Sequence, residues 1–143
     1  RKSRAGLALE NHLEILFQEC EIRYSRTAVT ENKSRPDFLF PGHKEYHDME
    51  FDSLNLTMLG VKSTCKDRWR QVLAEADRIE KKHLLTLETA ISLNQTDEMQ
   101  AKKLKLVLPK SLHSSYTESQ REWLMDLKSF TNLVIERQKK TDC

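Results

Sequence analysis

Residues 36–42 read PDFLFPG and residues 57–75 read TMLGVKSTCKDRWRQVLAE. Asp37-Phe38-Leu39-Phe40 is a short apolar run closed by Pro41-Gly42, the pattern of a strand followed by a turn. The run from Asp52 to Lys62 becomes apolar on both faces toward its end, as a central strand covered on both sides requires. Thr64 and Asp67 then resemble a capping pair, and Trp69, Val72, Leu73, Ala76 and Ile79 form the apolar face of a helix. Two strands followed by a helix predict a sheet with a helix packed across it. Asp37 starts the first strand, Lys62 ends the second, and Glu75 falls on the apolar side of the helix.

Working outward, Leu9, Leu13, Leu16 and Cys20 recur at helical spacing, which predicts a helix over about 5–21. Residues 24–35 are polar and aperiodic, a loop. KHLLTLE and the clearer KLKLVLP, stopped by Pro109, read as two more strands. Thr117 and Gln120 look like a capping box, and Leu124, Leu127, Phe130 and Val134 stripe a last helix that reaches the basic tail. Four strands interleaved with helices predict an α/β fold, a central mixed β-sheet with helices on both faces. Residues 1–143 form one domain on this reading.

The chain has 143 residues, enough for one real core. With 38% apolar and 32% charged residues it reads as globular and not disordered. No apolar run approaches the roughly 20 residues needed to cross a bilayer. Cys20, Cys65 and Cys143 have no metal-ligand spacing and are odd in number, which favours a reducing compartment over a disulfide scaffold. The net charge of +2 is modest, although Lys and Arg bunch at the start, in 62–70 and in 102–110. Such bunches fit either a nucleic-acid partner or a solvated face. The abrupt RKSR start, without methionine or signal peptide, suggests the C-terminal part of a longer protein.

The three residues singled out have ordinary readings. An aspartate after proline is common in turns, and a strand-end lysine can snorkel to water. A carboxylate on the packed side of a helix costs several kcal/mol unless it is paired or holds a cation. A structural ion pair is one answer for Glu75. Taken together, however, Asp37, Lys62 and Glu75 make a chemical set. Two carboxylates can hold a divalent cation through oxygen ligands. Such a cation activates water and neutralises phosphate charge, while a lysine beside it stabilises the transition state. Hydrolysis of a phosphodiester needs this combination.

An Asp after Pro and a strand-end Lys resemble the signature of the PD-(D/E)xK nuclease superfamily. The usual second acid stands two residues before the lysine, where this chain has Gly60. One restriction-endonuclease branch moves that acid onto the following helix, and Glu75 stands 13 residues after Lys62. SRPDFLFPG, GVKSTCKDRWRQVLAEADRI, KHLLTLETAISLNQTDEM and LVLPKSLHSSY together are similar to the C-terminal catalytic domain of EcoRII-type restriction endonucleases over essentially the whole chain. The resemblance implies a restriction-endonuclease-like core and carries the catalytic centre over as Asp37, Lys62 and Glu75. Asp37 and Glu75 would bind the metal, Mg²⁺ being the expected cofactor. It further implies cleavage of double-stranded DNA at CCWGG before the first cytosine, leaving 5′ overhangs. A homodimer, an N-terminal effector DNA-binding domain that makes the enzyme allosteric, and a prokaryotic cytoplasm as its setting belong to the same expectation.

Lys66, Asp67 and Arg68 sit at the start of the expected helix. Lys and Arg can donate to guanine and Asp can accept from cytosine N4, so the cluster suits G·C readout; a surface salt-bridge cluster is the alternative. In related endonucleases this position reads G·C pairs. The 23–35 loop, with Arg26 and Asn32, is a candidate DNA clamp or a plain connection. Tyr46 and Lys66 are lesser candidates for the scissile phosphate. His43 and His47 suggest a metal or general-base role, but surface imidazoles are common and their spacing alone is poor evidence. Two rival functions are a nuclease of DNA repair or mobile elements, and a non-catalytic DNA-binding module whose three residues form a buried ion network.

Overall fold

The computed structural model describes residues 4–27 and 35–142, the side chain of Asp67 excepted. Five strands lie side by side in sequence order: β1 (Ser25–Arg26), β2 (Phe38–Phe40), β3 (Thr57–Lys62), β4 (Lys82–Thr86) and β5 (Leu104–Val107). β1, β2 and β3 pair antiparallel, whereas β3, β4 and β5 pair parallel. The sheet is mixed, and Lys62 pairs with Thr86 where the central parallel pair ends.

Alternation along the strands divides the apolar residues between two cores. Phe38, Phe40, Leu59, Val61, Leu85 and Val107 point to one face. There they meet Leu13 and Phe17 of α1 (Arg4–Glu19) and Phe130 and Val134 of α5 (Leu127–Thr141). Phe17 meets Phe38 and Phe40 edge-on, at 5.1 and 5.2 Å between ring centroids. Leu39, Met58, Leu84, Leu104 and Leu106 point to the other face. Its cover is Trp69 and Val72 of a 3₁₀ segment (Lys66–Ala74) together with Met99 of α3 (Leu93–Ala101). Burying each such large side chain contributes about 1.5–3 kcal/mol.

Several elements differ from expectation. β1 forms within the polar 24–35 stretch, and α3 follows a Ser92 cap that accepts from the Gln95 amide at 3.3 Å. A short α2 (His43–His47) follows β2. The last helix is two. The Thr117/Gln120 capping box starts α4 (Glu118–Trp123). The chain is then drawn straight because the Met125 amide donates to the Leu106 carbonyl at 3.0 Å and its own carbonyl accepts from Leu108 at 2.9 Å. Asp126 restarts the helix as the cap of α5.

The change that matters most follows β3. The segment after Lys62 is 3₁₀, stops at Ala74, and leaves Glu75 extended at φ −94° and ψ 144°. Ala76 then takes a left-handed φ of 53°. Glu75 therefore shares no helical face with Val72 and Ile79. Among the described residues no helix is long and apolar enough to cross a membrane.

Candidate active site

Asp37 stands one residue before β2, and its backbone carbonyl accepts from the Thr27 amide at 2.9 Å. Its side chain crosses to the neighbouring strand, where Oδ2 accepts the Val61 amide at 2.6 Å. Continuing the β2–β3 register by one residue puts Asp37 opposite Gly60. By the same alternation Asp37, Gly60 and Lys62 project toward the face covered by the 3₁₀ segment. Asp37 and Lys62 are thus diagonal neighbours on one face, both half-buried.

Gly60 explains why no acid precedes Lys62 at the usual distance. A Cβ at this position would lie 3.1 and 3.3 Å from the two methyls of Val72. Val72 is itself buried, so the 3₁₀ segment occupies the space a side chain would need. The chain that fills this space leads three residues later to Glu75, one of whose carboxylate oxygens is buried.

The turn after Glu75 is held by two cations that bond to main-chain carbonyls. Arg78 donates to the carbonyls of Tyr46, Asp48 and Phe51, at 3.1 Å for Asp48 and 2.7 Å for Phe51. The buried Lys82 of β4 donates to the carbonyl of Ala76 at 3.0 Å and to that of Ile79. Neither residue carries a local sequence signal.

Beyond Lys62, Ser63 is tied to the end of β4: its carbonyl accepts from Thr86 Oγ1 and from the Leu87 amide, both at 3.3 Å. Glu88 then reaches back, and Oε1 accepts the amides of Cys65 at 2.7 Å and Lys66 at 3.0 Å. Burial first, and the Glu88 charge second, push the Cys65 thiol up to about 11, so it stays protonated and is no nucleophile. Lys66 and Arg68 are exposed beside this anchor.

Other expected residues have different surroundings. Tyr46 is 1% exposed; its hydroxyl accepts from the Arg78 amide at 3.0 Å and its ring packs in the core. In this structure the Tyr46 hydroxyl is turned to the Arg78 amide, within the core beside α2. Arg26 donates to Glu10 at 3.3 Å and Glu14 at 2.9 Å. Glu10 is 1% exposed and requires such a cation, which turns Arg26 inward instead of toward a ligand. Asn32 and the Asp67 side chain lie outside the described residues. The exposed rings of His43 and His47 stack edge-on at 4.6 Å.

Among the described residues no group of three or more His, Cys, Asp or Glu side chains is arranged to hold a metal ion. Two carboxylates nonetheless suit Mg²⁺, which keeps several waters and uses one or two carboxylates with substrate oxygens. The donor set of Asp37 and Glu75 fits that demand and offers no thiolate or imidazole for a softer metal. A cleft of about 350 Å³, lined by His83, Lys105 and Arg137 among others, belongs to the α5 face near the opposite end of β4. It is remote from Lys62 and plays no part here.

The family model described as EcoRII C terminal matches residues 1–131. The chain is 54% identical over 131 residues to the type II restriction enzyme EcoRII of Escherichia coli, a match covering 91% of this chain and 32% of that protein. Two solved structures of Ecl18kI superpose on the chain. The metal-depleted complex with uncleaved, modified DNA gives a TM-score of 0.83 at 21% identity, and the metal-depleted complex with uncleaved DNA gives 0.81 at 22%. Both cover 98% of this chain and 47% of the other, and they establish the shared restriction-endonuclease-like fold. The chain thus spans about a third of the curated relative and about half of the solved ones. With nine-tenths of its length matched by the family model and more than half of the aligned residues identical, the chain belongs to the EcoRII C-terminal family.

Proposed function

We propose that this chain is the catalytic domain of a type II restriction endonuclease that hydrolyses double-stranded DNA at CCWGG, before the first cytosine, leaving 5′ overhangs. One observation carries the chemistry. The Asp37 carboxylate is bonded to the strand residue next to Lys62, on the face covered by the segment that leads into Glu75.

Asp37 and Glu75 would hold Mg²⁺, and the ion when bound supplies charge neutralisation at the phosphate and orientation of the attacking water. Lys62 faces the phosphate and stabilises the negative charge that builds up on its oxygens. Lys66 stands near enough in sequence to add a second positive charge. Lys66, Asp67 and Arg68 read the flanking G·C pairs from the major groove, Lys and Arg donating to guanine and Asp accepting from cytosine. Two symmetric cuts call for a two-fold homodimer. In the longer protein, an N-terminal DNA-binding domain acts as effector and restrains cleavage. A prokaryotic cytoplasm is the setting of such a restriction-modification system.

The test is cleavage of plasmids containing or lacking CCWGG, with Mg²⁺ or with EDTA, by the chain and by a folded Lys62→Ala variant. Discrete Mg²⁺-dependent cuts at CCWGG that vanish in the variant are the expected result. Cleavage of both plasmids without discrete sites would keep the chemistry and reject the specificity. No cleavage by the folded, dimeric protein under any metal would leave a non-catalytic DNA-binding module.

A further inference from the structure

The geometry points to Glu88 as a positioning residue for sequence recognition: its carboxylate sets the segment Lys66–Arg68 in a fixed frame relative to Lys62. The inference rests on the base-reading role given above to that segment.

The 3₁₀ segment begins at Lys66 with first amides that have no acceptor within the segment. Its cap position, Cys65, supplies no side-chain acceptor. Glu88 supplies one from another part of the chain, taking the amides of both Cys65 and Lys66 on a single carboxylate oxygen at 2.7 and 3.0 Å. Bonds from amides to a carboxylate are the stronger kind. They also hold Lys66 at a φ of 35°, in the left-handed region that a side-chain-bearing residue rarely adopts unless its surroundings fix it.

Glu88 is itself fixed. Its amide donates to Thr86 Oγ1 at 3.1 Å, and its carbonyl accepts from the buried Tyr116 hydroxyl at 2.6 Å. Thr86 is the register partner of Lys62. The end of β4 therefore grips the chain at Lys62, at Ser63 and again at Cys65 and Lys66. The lysine aimed at the phosphate and the side chains aimed at the bases share one mount, so a bound base step and the scissile phosphate come into register together. Half an ångström is enough to spoil such a match. Glu88 touches neither DNA nor metal in this scheme and acts only through two amides.

The experiment compares the chain with Glu88→Ala and Glu88→Gln. For each, kcat and KM are measured on a CCWGG duplex and on a duplex with one outer G·C pair replaced. Exchange of the Cys65 and Lys66 amides is followed by NMR. In Glu88→Ala both amides are expected to exchange at least tenfold faster. The cognate to non-cognate ratio of kcat/KM is expected to fall at least tenfold. Glu88→Gln keeps an acceptor and is expected to recover most of both. A merely structural role would lower melting temperature and cut both duplexes down equally, leaving the ratio unchanged, and that result overturns the inference. Wild-type protein that cuts without preferring CCWGG would instead overturn the base-reading assignment, and this inference with it. A discriminating wild type with an equally discriminating Glu88→Ala variant overturns the role of Glu88 alone.

Discussion

The Asp37 carboxylate accepts the Val61 amide at 2.6 Å, fastening the acid of one strand to the residue that precedes Lys62 on the next. One side chain thus has two tasks, to satisfy a strand amide and to offer negative charge. Asp37→Asn keeps an acceptor and loses the charge, whereas Asp37→Ala loses both. Asp37→Asn is expected to fold with near-native stability while Mg²⁺-dependent cleavage falls by the order of a hundredfold or more. Asp37→Ala should in addition lose about 1–3 kcal/mol in urea unfolding, because the Val61 amide is left without its partner. Equal stability of the two variants would show that the bond to Val61 contributes nothing.

Gly60 offers a second test. A Cβ at 3.1 Å from Val72 forces that buried side chain aside. Gly60→Ala is expected to cost about 1–3 kcal/mol through overpacking. Cleavage should fall with it, since Val72 belongs to the segment that carries Glu75. Trimming the neighbour in the double variant Gly60→Ala, Val72→Ala should return part of the activity. The readout is the coupling between the two substitutions in urea unfolding and in kcat. Strictly additive effects would argue that the two sites are independent.

Tyr46→Phe separates packing from catalysis. The ring stays in the core and only the hydroxyl that accepts from the Arg78 amide is removed. Stability should fall by about 1 kcal/mol, with kcat nearly unchanged. A large loss of kcat at wild-type stability would return Tyr46 to the phosphate.

His83 governs part of the acid response. Burial, with smaller contributions from Arg137 and Lys105, holds its imidazole down at about 3, against the usual 6.5. Between those values the unfolded chain takes up a proton that the folded chain refuses. Stability from this group is therefore complete above 6.5 and lost as pH falls toward 3, at up to about 1.4 kcal/mol per pH unit for one proton. The urea midpoint should drop between pH 7 and pH 5, and His83→Leu should flatten that drop. An unchanged slope in the variant would assign it to carboxylates alone.

The two-sided apolar pattern of β3 and the clear KLKLVLP run of β5 make the sheet legible, and Thr117 with Gln120 announces α4 from four residues of sequence. β1 left no pattern because two residues cannot alternate visibly. α3 follows a good cap, but its residues NQTDEMQA show little apolar stripe. In the segment after Lys62 the sequence identifies the apolar face but not the pitch. Its apolar residues do meet the sheet, but 3₁₀ pitch and the left-handed Ala76 turn Glu75 off the face that α-helical spacing assigns it. Tyr46 and Arg26 are polar groups in polar stretches, and only three-dimensional contact shows the Tyr46 hydroxyl at the Arg78 amide and Arg26 at Glu10 and Glu14. Glu88, Arg78 and Lys82 act chiefly on backbone amides and carbonyls contributed by other elements, a kind of partnership that leaves no trace in residue spacing.

Arg78 has one more consequence. It sits three residues after Glu75 and grips one carbonyl within α2, that of Tyr46, and two just beyond it, while α2 itself is pinned to the sheet edge by the bond from the His43 amide to Ser25 Oγ at 2.8 Å. Lys62 and Asp37 ride on the ladder of the central strands, but Glu75 also hangs from this outer linkage. A push on α2 would therefore reach the sheet edge through Ser25 as well as the turn after Glu75 through the guanidinium. Glu75 is thus braced from two sides, from the end of α2 through Arg78 and from β4 through Lys82, whereas Asp37 is fastened to β3 by its own carboxylate.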